Sequence, residues 1–153
     1  MGISLTKSEI SERLEISDPF LLLDRVDQLI PGQSAVGHKS LAPADWFFKC
    51  HLPSQQAMPG TLLTEAMLQT LVLTIYAMKG HEGKPSFVTE MKTKLLAKVS
   101  PGEDLRIEAK MISYKRGVAK GTALVIQGSK DVCSGEFTYV SPHDLPRPGL
   151  SEH

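Results

Sequence analysis

His51 and Glu65 are the two side chains in this sequence best suited to moving protons, and the segment between them changes character partway along. Up to Gly60 the prolines at 53 and 59 forbid a regular helix and stiffen the backbone, whereas Thr61 to Met78 holds neither proline nor glycine. A rigid loop therefore feeds a helix. An imidazole on such a loop can take a proton, and a carboxyl among apolar neighbours has its pKa pulled upward and can donate one. Each residue also has an ordinary structural explanation. His51 can hydrogen-bond its own backbone, and Glu65 can complement the helix dipole and reach solvent at an edge. Burial favours neutral Glu65, while the helix N-terminus favours its ionised form.

The residues that must position this pair begin with the helix, predicted from about Thr61 to Lys79. Leu62, Leu63, Ala66, Met67, Leu68, Leu71, Val72, Leu73, Ile75, Tyr76 and Met78 put apolar groups on nearly every face, unlike the single stripe of a surface helix. Glu65 and Gln69 are four apart and share one face, a polar stripe that argues against a membrane span. The segment reads as a buried central helix. Ahead of it, Thr6-Lys7-Ser8-Glu9 has capping-box spacing and predicts a short helix over about 6–15. Phe20 to Ile30 and Gln33 to Leu41 read as a hairpin around Pro31-Gly32, followed by a loop from Ala42. After the helix come four extended runs, Ser86 to Val99, Asp104 to Tyr114, Val118 to Gln127 and Val132 to Val140. Short connections predict an antiparallel meander in chain order, curled about the helix: an α+β class. A single curved sheet leaves part of such a helix uncovered, so a second copy of the chain is the expected lid.

The chain has 153 residues, is 41% hydrophobic and carries 17 basic and 17 acidic side chains. That composition suits one globular domain over 1–140 with an irregular or disordered tail over 141–153, rich in proline. Zero formal charge argues against nucleic acid or an anionic membrane as the main partner. Tyr114-Lys115-Arg116 reads as a solvated hairpin end. Cys50 and Cys133, with no apolar leader at the amino terminus, suggest a reducing cytoplasm. Cys50 reads as a buried, inert thiol, and His38, His81, His143 and His153 as surface or strand residues. Cys50, His51 and Glu65 lack a fourth ligand and chelating spacing, so no metal site is expected.

Taken together, several motifs resemble the 3-hydroxyacyl-acyl-carrier-protein dehydratases of the hotdog fold, over roughly Asp18 to Val140. Pro19-Phe20-Leu21-Leu22-Leu23-Asp24-Arg25-Val26 resembles the family's first core strand. Phe47-Phe48-Lys49-Cys50-His51-Leu52-Pro53 resembles its histidine loop, and Ala57-Met58-Pro59-Gly60 with Glu65-Ala66-Met67-Leu68-Gln69 the start of its central helix. Val99-Ser100-Pro101-Gly102-Glu103-Asp104-Leu105 is similar to a later strand turn. The chain departs from the pattern at Ser54, where glycine is usual, at Gln56, where proline is common, and at Leu95, Leu96 and Ala97, where the family often has basic residues.

The resemblance implies a curved sheet wrapped around one central helix and the dehydration of 3-hydroxyacyl thioesters to trans-2-enoyl thioesters in fatty-acid or polyketide-like synthesis. It implies His51 as base and Glu65 as acid, the glutamate matching the type that removes water without isomerising the double bond. The Gly60 amide becomes the oxyanion donor, with Gln69, Met58 and Pro59 in substrate binding and Leu62, Phe47 and Phe48 as candidate tunnel lining that could equally be core. No cofactor is implied, since the substrate arrives on the phosphopantetheine arm of acyl carrier protein. The implied assembly is a homodimer sharing its active sites between protomers, with a trimer of dimers as a further possibility. Alternatives within the fold are an acyl thioesterase and a non-catalytic acyl-binding or scaffold subunit.

Overall fold

Thr6 starts the first helix. Its hydroxyl accepts from the Glu9 amide at 3.2 Å, and the Glu9 carboxylate accepts from the Thr6 amide at 2.9 Å, the reciprocal pair that the spacing predicts. The computed structural model describes residues 2–146. Along them run β1 (Ile3–Thr6), α1 (Lys7–Leu14), β2 (Arg25–Ile30), β3 (Ser34–Lys39), α2 (Trp46–Cys50), α3 (Gly60–Tyr76), β4 (Phe87–Leu95), β5 (Leu105–Lys115), β6 (Val118–Gln127) and β7 (Lys130–Val140), then a 3-10 turn at Pro142–Asp144. One antiparallel sheet takes the strands in the order β1-β2-β3-β5-β6-β7-β4. Its concave face wraps α3, whose Ala66, Met67, Leu71, Leu73 and Ile75 are buried against β2 to β7. This is the hotdog architecture. Among the described residues no helix is long and apolar enough to cross a membrane.

The helix ends at Tyr76 rather than near Lys79 because the last bonds tighten. Met78 N donates to Ile75 O, and Gly80 at φ 89° turns the chain away in the left-handed region. Close approach of sheet to helix depends on missing side chains. A Cβ on Gly121 would lie 2.8 Å from the Leu71 methyls, and one on Gly37 would lie 2.7 Å from Thr70 Oγ1. Gly121→Val is therefore expected to lower unfolding free energy by about 1–3 kcal/mol through overpacking, measured by urea denaturation.

Strand order departs from the predicted meander. β5, β6 and β7 do follow one another, but β4 pairs with β7 at the opposite edge from β1. The nine residues from Leu96 to Asp104 cross the end of the sheet. Leu96 and Ala97 N–H groups donate to Val132 O, and Gln127 Nε2 donates to Ser100 O and Glu103 O. Those bonds lie past the end of the β6–β7 hairpin, so the connection covers roughly three strand spacings, about 15 Å, well within its reach. As an edge strand, β4 leaves Phe87, Met91 and Leu95 exposed, with Leu96 just beyond.

Other boundaries differ for local reasons. Phe20 to Asp24 lies outside β2: a side-chain amide from α3 bonds Phe20 O and Leu22 N, and the link to β3 is Asp24 N donating to His38 O. The loop predicted from Ala42 contains the short helix α2, which buries Phe47 and Phe48. β1 carries too short a pattern to be read from sequence. Cys50 is exposed, contrary to expectation, since it sits at the solvent side of α2; Cys133 is buried on the concave face.

Ser141, the expected start of an irregular tail, is packed into the fold. Ser141 is buried, its N–H donating to Gly117 O at 2.7 Å and its hydroxyl 2.6 Å from that of Ser86. His81 is buried too, with Nε2 2.8 Å from Tyr114 Oη, which donates to Asp144 Oδ2 at 2.6 Å. This chain of bonds holds the 3-10 turn against the β5–β6 hairpin, and the rest of the expected tail, with His153, lies outside the described residues.

Candidate active site

His51 stands at the C-terminus of α2, half-buried, with Nδ1 3.1 Å from Ala57 O. A carbonyl oxygen can only accept, so Nδ1 carries the proton in this bond and Nε2 is the nitrogen with a free lone pair. The loop that closes this bond is tight. Gln55 and Gln56 N–H groups both donate to Leu52 O, and Leu52 and Gln56 adopt φ of 44° and 47°. Such left-handed backbone costs a non-glycine residue on the order of 1 kcal/mol, strain that is held here beside the histidine it orients. At the far end Met58 N donates to Val99 O and its side chain enters the core, so Pro59 is placed as the N-cap of α3.

Gly60 is the first helical residue, and Pro59 before it contributes no side-chain cap. Its amide is one of the helix-start N–H groups without a partner inside the helix, aimed where the dipole favours an anion. A Cβ there would lie 2.5 Å from Leu95 Cδ1, so the bare position lets the Leu95 side chain of β4 lie against the helix start.

Glu65 lies beyond the first turn of α3, which contains no acid. The helix-dipole explanation therefore loses to burial: desolvation holds its carboxyl above the usual carboxylate range, partly offset by a hydrogen bond from Gln69. Gln69 Nε2 is 3.0 Å from Glu65 Oε2. Glu65 and Gln69 line a cavity of about 370 Å³ together with Leu68, Val72, Tyr76, Phe87, Val88 and Tyr139, and with Arg13 and Lys84 among the charged residues around it. Tyr139 went unpredicted. It donates to Leu68 O at 2.7 Å, and burial with the nearby Glu65 charge pushes its phenol well up. The alternation of Gly135, Phe137 and Tyr139 on the inward face of β7 is the sequence signal that could have placed it.

His51, Met58, Pro59, Gly60, Leu62, Phe47 and Phe48 do not line this cavity. Phe47 and Phe48 stack on each other in the core with centroids 4.8 Å apart, which is packing, not tunnel wall. Gln69 is 1% exposed and both of its amide hydrogens are committed to protein atoms, so it is not placed to contact substrate directly. Within one chain the carboxyl borders a cavity whose lining does not include the imidazole.

A helix sheathed in a curved antiparallel sheet defines the hotdog class of folds, and solved structures share it. Thioesterase superfamily member 2 of zebra fish superposes with a TM-score of 0.71 at 16% identity, covering 88% of this chain and 94% of that one. A conserved protein from Pseudomonas aeruginosa does so at 0.68 and 24%, covering 84% and 96%. At the level of sequence, the FabA-like domain family model matches residues 16–136, and the chain belongs to that family. It is 35% identical over 136 residues to the 3-hydroxyacyl-[acyl-carrier-protein] dehydratase FabZ of Roseiflexus sp. (strain RS-1), covering 88% of this chain and 95% of the relative. Its identity to the protein of the same name from Ligilactobacillus salivarius (strain UCC118) is 31%, over 87% and 96%.

Proposed function

We infer that this protein removes water from 3-hydroxyacyl thioesters on acyl carrier protein, giving trans-2-enoyl thioesters for fatty-acid synthesis in the cytoplasm. The observation that carries the reading is a carboxyl held above its usual pKa by burial beside a mostly apolar cavity. Elimination needs a base for the C2 proton, an acid for the leaving 3-hydroxyl, and a donor for charge growing on the thioester oxygen. His51 Nε2 is the base, Glu65 the acid, and the Gly60 amide the donor. Together they complete the proton transfers without a cofactor, the acyl group arriving on the carrier's phosphopantetheine arm. Incubation with a 3-hydroxybutyryl thioester tests this directly. Enoyl absorbance supports dehydration, release of free thiol would indicate hydrolysis instead, and an unchanged substrate would favour a non-catalytic subunit.

The site is assembled from two protomers, His51 of one facing Glu65 of the other. What supports this is that His51 does not line the Glu65 cavity of its own chain, together with an exposed apolar edge strand suited to receive a second copy. Phe87, Met91 and Leu95 lie along that edge. Met91→Lys should then give a monomer in sedimentation velocity and lower the dehydration rate at least 100-fold, on the order of losing one general catalyst. An active monomer would overturn the shared site.

A further inference from the structure

Gln69 sits in the middle of α3, 1% exposed, and makes three hydrogen bonds. Its Oε1 accepts from Leu22 N at 2.9 Å, while Nε2 donates to Phe20 O at 2.9 Å and to Glu65 Oε2 at 3.0 Å. The amide cannot flip. Leu22 N–H only donates and Phe20 O only accepts, so exchanging the two ends would set donor against donor and acceptor against acceptor. Backbone geometry in the segment before β2 thus dictates that an amide hydrogen faces Glu65 whatever its protonation state.

Glu65 Oε2 therefore accepts from the amide, and because a carbonyl oxygen accepts more strongly than a hydroxyl oxygen, this bond disfavours a proton on Oε2. We propose that Gln69 is a positioning residue that directs the transferable proton of Glu65 to Oε1, the oxygen left for the cavity. This deepens the dehydratase reading and rests on it for the role, though not for the orientation. In that role Gln69 favours one of the two tautomers of the acid and restrains the side chain's rotation, so the proton is presented mainly in one direction. The same hydrogen bond favours the carboxylate and opposes burial, so it sets how far the carboxyl rises. Other titratable groups around the cavity are Tyr139 on β7, Tyr76 on α3, Arg13 and Glu15 at the end of α1, and Lys84 ahead of β4. None of them is hydrogen-bonded to Gln69, so a shift in titration reports on the amide.

Two measurements test the proposal. In the native protein, the Gln69 side-chain amide nitrogen resonance should move with pH through the Glu65 titration, and the movement should vanish in Glu65→Gln. A resonance indifferent to that titration overturns the orientation, whether or not the protein proves to be a dehydratase. In Gln69→Met, which keeps the volume, kcat for dehydration should fall on the order of 10²-fold with KM little changed. Its basic limb should move to higher pH, because the lost donor favoured the ionised acid. An unmoved limb, or an unchanged kcat, overturns the role. Should Gln69→Met fail to fold, having stripped Phe20 O and Leu22 N of partners, the resonance measurement decides alone.

Discussion

His51→Ala lowers the rate of enoyl-thioester formation by about 10²- to 10⁴-fold, the span expected when a positioned general base is removed. The residue is half-buried at a helix end, and its one side-chain hydrogen bond, to Ala57 O, is local. Losing that bond costs on the order of 1 kcal/mol, small beside the stability of a domain this size. Fold and dimer should therefore survive, as circular dichroism and sedimentation would show. KM should move little, because the proton transfer is made only in the transition state. His51→Gln supplies a second check. It can hold the loop through an amide to Ala57 O but carries no basic nitrogen, so it should be as slow as alanine. Near-normal rates in either variant would remove His51 from the mechanism.

Glu65→Gln should be comparably slow, for the opposite reason: the glutamine fills the same space and can still accept from Gln69, yet has no proton to give. Its stability should move the other way. The native carboxyl has a raised pKa, so the folded state prefers it protonated, and the stability it contributes is full below the unfolded carboxylate's pKa and lost as pH rises through the folded one. Glu65→Gln has no such loss. Its melting temperature relative to the native protein should rise as pH passes upward through that window, while its activity stays near zero. A carboxyl kept at a cost to folding is what a proton donor in a dry cavity requires.

Mixing the two inactive variants separates a shared site from a private one. In a heterodimer of His51→Ala with Glu65→Gln, one site receives both intact residues and the other receives neither. Random subunit exchange makes half the dimers heterodimers with one working site each, so about a quarter of native activity should return. If both residues acted within one chain, each site would lack one of them and nothing would return. The dimer proposal and the roles of the two residues are thus tested in one tube.

Much of this was readable from residues alone. The capping box at Thr6 and Glu9, the apolar helix and the extended runs of β5 and β6 all depend on neighbours within a few positions, where periodicity and steric rules operate. Even the hairpin end at Arg116-Gly117 follows local rules, with both residues at positive φ as a two-residue turn between twisted strands demands.

What the tertiary structure alone decided depends on groups far apart in the chain. Nothing local says that β4 must skip past β7 and β6 to the sheet edge, yet that placement exposes Met91 and Leu95 and presses Leu95 against Gly60. The family resemblance assigns Gln69 to substrate binding, whereas its hydrogen-bond partners are Glu65 and backbone atoms nearly fifty positions earlier. Glu65 was balanced between dipole and desolvation until the helix was seen to start at Gly60 and the cavity to be walled by Tyr139. Local propensity chose the elements and the chemistry they carry; burial and long-range hydrogen bonding, which act only once the sheet has closed, chose the neighbours that tune it.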